Sequence, residues 1–390
     1  ILRTQNNSHY SKLIPNSRIT EMKVSLITIL DNTNFGTYLQ ALALSKTIEK
    51  LGLDVEIVDY IRPRMSRIGS MSWTRNPWKK LLKWLNYPAI EKLRDADHDF
   101  LKRFVALSPV TYSNYKQLKN NPPVADIYVT GSDQVWNSIY NQGIDKAFYL
   151  DFADKKAKRV SYAASIGMED FPATEVKETM QLLSKYTQIT VREQKAKNIL
   201  ARLGFANVEV VLDPTLLLDA NDWRKISQLA GKPLDLNEPY LLVYSVETKK
   251  ENTLISFYAK EIASKYHWKI YQVSYGDDKS RIDGVDKLFA HATPDIFLQL
   301  VCQSEFMVVS SFHGTAFAIN FNKQFLSITP KRFNSRIKSL CSICGLKERI
   351  LTDASAKPDN LENIDYNRVN AVIQQLRNHS VNILRNMLYS

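Results

Sequence analysis

Two spacings of apolar residues alternate along the chain. Lys23-Val-Ser-Leu-Ile-Thr-Ile29 is a β-branched run, followed by the polar loop Asp31-Asn-Thr-Asn-Phe-Gly36. Beyond that loop Ala41, Leu44, Ile48 and Leu51 recur at helical spacing from Thr37 onward. Gly52 closes the helix and Val55-Glu-Ile-Val58 resumes an extended run, so the chain opens as β-α-β. Further strands are predicted at Ile127–Thr130, Val160–Ala164, Ile189–Arg192 and Val208–Leu212, with a helix over Lys195–Leu203 stopped by Gly204. This first series implies an open parallel sheet covered by helices.

After Asp213-Pro214 the stretch from Leu216 to Pro239 is polar and contains prolines, and then a second series begins. It reads strand Tyr240–Val246, helix Asn252–Tyr266, strand Trp268–Ser274, helix Pro294–Gln303 and strand Glu305–Val309, then helix Gly314–Phe321 and strand Gln324–Ile328. The fold class expected is α/β, with two Rossmann-like units over residues 22–215 and 216–390. Ligands are expected where the carboxyl ends of both sheets face each other. A last helix near Val369–Leu388 is a candidate to cross back onto the first unit. Residues 1–21 precede the first strand-like run and are read as a leader or disordered arm outside the fold. No internal repeat or low-complexity segment interrupts the pattern.

Composition narrows the function classes. The 390 residues are 44% hydrophobic and 24% charged, ordinary for two globular domains. No apolar stretch approaches the ~20 residues of a membrane span, and residues 1–21 lack the apolar segment of a secretory signal. A cytoplasmic protein is therefore expected, in contact at most with the inner face of a membrane. The three cysteines, Cys302, Cys341 and Cys344, are too few for a disulfide framework. Cys341-Ser-Ile-Cys344 lies in a helical pattern without a second CxxC or a His pair, so core-facing thiols are expected and no metal site. A net charge of +12 calls for anionic partners, namely phosphorylated substrates, acidic lipid headgroups or nucleic acid. No recognition motif supports the last. One basic insertion, about residues 62–104, stands apart: from Arg62 to Ile90 it carries Arg62, Arg64, Arg67, Arg75, Lys79, Lys80 and Lys83, no acid, and Trp73, Trp78 and Trp84. That composition suits either a surface for anionic membranes or an acidic acceptor, or a solvated helix whose tryptophans pack inward.

The loops at the strand ends carry the chemistry. Asp31-Asn-Thr-Asn-Phe-Gly-Thr-Tyr-Leu-Gln-Ala, Gly131-Ser-Asp-Gln-Val-Trp-Asn, Ser161-Tyr-Ala-Ala-Ser-Ile-Gly, Val191-Arg-Glu, Leu212-Asp-Pro-Thr and Ser311-Phe-His-Gly-Thr follow one another in order between Lys23 and about Ile350. Together these six blocks resemble the polysaccharide pyruvyl transferase family. The resemblance implies a fold similar to the GT-B glycosyltransferase architecture, with phosphoenolpyruvate as co-substrate, no bound cofactor, and a sugar of a bacterial surface glycan or its lipid-linked precursor as acceptor. The product would be a pyruvate ketal. Two other functions fit the same frame: a nucleotide-sugar glycosyltransferase and a non-catalytic glycan-binding homologue.

The residues themselves agree with that class. Asn34, Phe35 and Gly36 end a strand and open a helix, where free N–H groups and the helix dipole favour an anion; the bland alternative is a plain turn. Gly131, Ser132, Asp133 and Gln134 give a strand terminus more polar capacity than a turn needs, enough to hold sugar hydroxyls, with Ser165 on the neighbouring strand end as a further acceptor contact. Trp136 either stacks on a sugar ring or packs in the core. Ketal formation needs proton transfer near neutrality, which makes His313 the natural acid/base, with Asp133 as second catalytic candidate. Gly314 completes the donor turn. Characterised members resemble Arg-Leu-His where this chain has Ser311-Phe312-His313, and that arginine is thought to help hold the donor anion. A hydroxyl cannot replace a bidentate cation. Arg192 and Arg336 are the expected substitutes; otherwise each is salt-bridged to Glu193 or another carboxylate.

Overall fold

The structure is a computed structural model that describes residues 22–30, 34–72, 76–247, 252–276, 280–329, 335–354 and 362–390. The expected leader, the loop residues 31–33, Trp73 and Arg75 lie outside the described residues.

Two parallel sheets form the molecule. The first contains β1 (Lys23–Ile27), β2 (Asp54–Ile57), β3 (Ala106–Leu107), β4 (Ile127–Thr130), β5 (Lys158–Ala164), β6 (Gln188–Val191) and β7 (Val208–Val210) in the order β3-β2-β1-β4-β5-β6-β7. The second contains β8 (Tyr240–Tyr244), β9 (Lys269–Val273), β10 (Lys287–Phe289), β11 (Phe306–Val309), β12 (Gln324–Ile328) and β13 (Ile350–Leu351) in the order β10-β9-β8-β11-β12-β13. Every pairing is parallel. Central strands such as Ile127-Tyr-Val-Thr130 and Phe306-Met-Val-Val309 are buried at every position, as a sheet covered on both faces requires. Each sheet thus grows outward in both directions from its first strand, the doubly wound order, and reverses beside that strand. The two-unit α/β fold is the one the apolar pattern predicts.

The helix Phe35–Lys50 differs from its expected one-faced pattern: it is buried at every residue from Phe35 to Ser45. The cause is its position between the units, where it packs on its own sheet and against the helix Pro294–Gln303 of the second. Phe35 stacks on Phe297 with ring centroids 4.9 Å apart and tilts against Tyr244 and Tyr275, each at 5.5 Å. One apolar core accordingly runs through both units. The polar stretch after Leu216 also differs from its reading as a connector, because it holds the helix Ala220–Ala230. Asp219 and Asp222 cap one another's backbone there, and Trp223 is buried with its indole N–H donating to the Thr215 carbonyl at 3.0 Å.

The last helix, Tyr366–Tyr389, touches both units. Its Tyr366 hydroxyl donates to the Lys323 carbonyl in the second, Ser380 Oγ accepts from the Leu212 amide at 3.0 Å, and the Tyr389 hydroxyl donates to the Leu51 carbonyl at 2.6 Å in the first. Cys341 and Cys344 are buried, and burial pushes their thiols up to about 12 and about 11. Both are inert packing residues.

Candidate active site

The order of each sheet reverses between β1 and β4 and between β8 and β11, and the loops leaving these strands meet. A Cβ at Gly36 would stand 2.0 Å from His313 Cγ and 2.1 Å from Nδ1, so the first turns of helices Phe35–Lys50 and Phe312–Asn320 touch through a position only glycine can fill. Beyond β4, Gly131 lets the chain pass Thr28, whose Cβ would lie 3.0 Å from an added methyl. Asp133 then adopts a left-handed φ of 74°, a conformation that Asp tolerates better than most residues and that concentrates at functional turns. Its Oδ1 accepts from the Gln134 amide at 2.8 Å and its Oδ2 from Thr37 Oγ1 at 3.2 Å. Ser165 fastens the turn from behind: its amide donates to the Asp133 carbonyl at 2.9 Å, and its hydroxyl donates to Glu193.

Asp213, just after β7, is the hub that sequence reasoning missed. Its Oδ2 accepts from Arg192 Nη1 at 2.7 Å and from Ser132 Oγ at 3.0 Å, and its Oδ1 accepts from the Thr215 amide and hydroxyl at 3.0 and 2.7 Å. His313 Nε2 stands 3.9 Å from the same Oδ2. Burial would raise the Asp213 pKa, but Arg192, His313 and these hydrogen bonds outweigh it and hold the carboxyl down at about 2. Asp133 is likewise held below the usual carboxylate range, because Arg192, His313 and Arg336 offset its burial. Burial is the largest influence on His313 and lowers its pKa despite the two aspartates, so its resting form at pH 7 is the neutral imidazole. Asp213 belongs to one of the quoted sequence blocks; its fixed place after a strand end was the available signal.

Arg192 and Arg336 flank the Phe312 ring, their guanidinium carbons 4.8 and 6.0 Å from its centroid. Both border a cavity of about 80 Å³ whose wall also includes Asp213, Glu193, Leu340 and His379. Arg192 is bound to Asp213, so the salt-bridge alternative holds for one edge of its fork. Its Nε and Nη2, and His313 Nε2, are buried without a hydrogen-bond partner among the described residues. Nη2 does lie 3.9 Å from Asp133 Oδ1, and buried polar atoms without hydrogen-bond partners are uncommon enough to call for a cause such as a water, an ion, a ligand or a catalytic role. Burial and the neighbouring Arg192 lower the Arg336 pKa, while Glu193 and Asp133 act against the fall.

Three expectations need correction. The amides of Asn34-Phe35-Gly36 are not free: Gly36 N–H is capped by Asn34 Oδ1 at 2.8 Å, Phe35 N–H serves the Tyr244 hydroxyl, and the Phe35 ring fills the interface core. Trp136 packs rather than facing a sugar, since it is 1% exposed, stacks on Tyr149 and donates to the Phe148 carbonyl at 3.1 Å. Ser311 is the cap of the His313 helix, accepting from Gly314 N–H at 3.0 Å, which explains a hydroxyl residue there. Gln134 is bound to Asn137 at 2.7 Å and pressed against Gly167. The structure thus gathers His313, Asp133, Ser132, Arg192 and Arg336 into one site, with Gly36, Gly131, Gly314, Ser165 and Gln134 shaping it.

A sequence profile of polysaccharide pyruvyl transferases matches residues 34–332, from the Gly36 turn through the His313 helix. The chain belongs to the polysaccharide pyruvyl transferase family. Membership makes it a transferase with a polysaccharide or sugar acceptor. A comparison with curated protein sequences gives no match. Among solved structures, this pyruvyl transferase family member is similar to the UDP-GlcNAc 2-epimerase of Methanocaldococcus jannaschii, at 14% identity and a TM-score of 0.50, over 95% of this chain and 100% of that one. It is also similar to S. aureus MnaA solved with UDP, at 11% identity and a TM-score of 0.50, over 92% of this chain and 90% of that one. At such identities the likeness is one of fold.

Proposed function

We propose that the protein transfers pyruvate from phosphoenolpyruvate to two hydroxyls of a glycan sugar, forming a pyruvate ketal and releasing phosphate. The observation that carries this reading is the unpartnered edge of Arg192, its buried Nε and Nη2, on one cavity with Arg336, with the likewise unpartnered His313 Nε2 standing 3.9 Å from the Asp213 carboxylate that borders the same cavity. Phosphoenolpyruvate brings a phosphate and a carboxylate, two planar or tripodal acceptors that guanidinium forks fit. The carboxylates Asp133, Asp213 and Glu193 are not outnumbered by the two arginines, so directed N–H groups rather than net charge select the anion. Neutral His313 receives the proton of the attacking hydroxyl and returns it to the methylene carbon, as the acceptor oxygen bonds to the neighbouring carbon. The second hydroxyl then displaces phosphate, and its proton leaves through the same imidazole. Asp213 positions Arg192 and steadies the transient imidazolium.

The test is acceptor-dependent phosphate release from phosphoenolpyruvate, with donor binding followed by calorimetry. Arg336→Ala should raise the donor KM by ~10-fold or more with acceptor KM unchanged, because a charge-assisted hydrogen bond is worth about 1.5–3 kcal/mol. Arg336→Lys should recover only part, for an ammonium keeps the charge without the planar fork. A parent protein that binds a nucleotide-sugar but no phosphoenolpyruvate would overturn the reading.

A further inference from the structure

The helix Pro77–Lys102 has two unlike halves. Its second half is anchored, with Asp97, His98, Phe100 and Leu101 buried, whereas in Pro77–Ile90 only Tyr87 is buried. Tyr87 donates to the Met65 carbonyl at 3.0 Å, and the Arg67 guanidinium lies 3.6 Å from the Trp84 ring centroid, so the protein body holds this half by one side. Trp78, Leu81, Leu82 and Leu85 recur at three- and four-residue spacing and form one stripe, while Tyr87 falls about half a turn away from it. The apolar stripe therefore faces away from the anchored side. It is open to solvent, with Trp78, Leu82 and Leu85 exposed to 75%, 57% and 63%. Lys79, Lys80 and Lys83, all exposed, fall on the other side of the helix and make its polar face, and no acidic residue occurs between Arg62 and Ile90.

We propose that this half-helix docks the protein on an anionic lipid surface, lying in the headgroup layer with Trp78, Leu81, Leu82 and Leu85 toward the acyl chains. Charge complementarity selects that occupant. An anionic bilayer supplies apolar depth and negative headgroups together, the combination that a basic helix with a tryptophan-edged apolar face fits. A second copy of this chain would set one body of net charge +12 against another, so charge opposes that contact where it favours an anionic surface. Among the described residues no helix is long and apolar enough to cross a membrane, so the contact is peripheral. The proposal does not depend on the reaction assigned to the cleft.

The test is sedimentation of the full chain with phosphatidylglycerol–phosphatidylcholine vesicles at low salt, with pure phosphatidylcholine vesicles as control. The parent should bind the anionic vesicles and be released as salt rises. Lys79→Gln, Lys80→Gln and Lys83→Gln combined should weaken partitioning by ~100-fold, at about 1 kcal/mol per charge. Leu82→Glu with Leu85→Glu should abolish binding while melting temperature and turnover on a soluble acceptor stay at parental values. Failure of the parent to bind anionic vesicles overturns the proposal, as does retained binding by the glutamate variant, which would mean adsorption by charge alone. A parental dimer that the glutamate variant dissolves into monomers, without vesicle binding, would assign the face to a second copy instead.

Discussion

Gly36→Ala is the most direct probe of the site, because its effect can be worked out from one contact. The new methyl would lie 2.0 Å from His313 Cγ, 2.1 Å from Nδ1 and 2.6 Å from Cβ, where carbon atoms ordinarily rest about 3.5–4.0 Å apart. Some 1.5 Å of movement is therefore needed, and these atoms sit at the root of a buried side chain whose far end cannot bend away alone. Either the imidazole leaves its position beside Asp213 or the two helix starts separate. A misplacement of about 1 Å at a reacting group can cost ~100-fold in rate, and that is the expected loss in kcat/KM for ketal formation. Stability should change much less. Gly36 is helical without a positive φ, so alanine gains about 0.5–1 kcal/mol there, which offsets part of an overpacking cost of about 1–3 kcal/mol. Phosphate release measured beside thermal melting separates the two effects. A cycle with His313→Ala isolates the ring contact: once the imidazole is gone only the 2.6 Å approach to Cβ remains, and the added methyl should destabilise the fold much less. Equal destabilisation in both backgrounds, or near-parental activity in Gly36→Ala, would refute the reasoning.

Two further outcomes test the electrostatics. His313→Ala should lower turnover by ~100-fold or more with melting little changed, and because burial lowers the imidazole pKa from its ordinary 6.5, the acid limb of parental kcat/KM should have its midpoint below 6.5; a midpoint above 6.5 contradicts this. Asp97, at the interface between the units, is pushed up to about 7 by burial and by Asp295, against the hydrogen bond that Tyr275 donates to it. The folded state then binds more protons than the unfolded state between about pH 4 and 7, so stability falls as pH rises through that window. Asp97→Asn should melt above the parent at pH 8, with the gap closing toward pH 4, and a gap independent of pH would remove the assignment.

How much of this was legible in the chain depends on where the partners of a segment lie. Ile127–Thr130, Pro294–Gln303 and Gln324–Ile328 are read to the residue, since each is a continuous apolar run or a Pro-started helix whose signal is local. β3 and β13 have two residues each, too few for any period to show. The all-round burial from Phe35 to Ser45 could not be seen from the helix's own spacing, because the surface covering it comes from the helix Pro294–Gln303, far along the chain. The same distance hid Asp213, whose role appears only once the ends of β6 and β7 bring Arg192 beside it. Trp136 was ambiguous for a different reason: an indole near a strand end can serve a ligand or a carbonyl, and the Phe148 carbonyl that claims it is set by the turn at Lys146–Tyr149. His313 was legible from chemistry and position, but the unfilled edge of Arg192 was not.

The last helix has a bearing on how the molecule comes into being. Ile383, Leu384, Met387 and Leu388 belong to the same apolar core as Val24, Leu26 and Val55, so the lining of the first sheet is finished by residues made after both sheets. Domains of a growing chain tend to fold in order from the amino end, yet here the earlier unit holds an apolar surface open until the later one has been made. The nascent chain must therefore carry an exposed sticky face through the whole synthesis of the second unit. Assembly of the cleft consequently follows synthesis of both units, and the two halves of the site are committed to each other only once the chain has been made through Leu388.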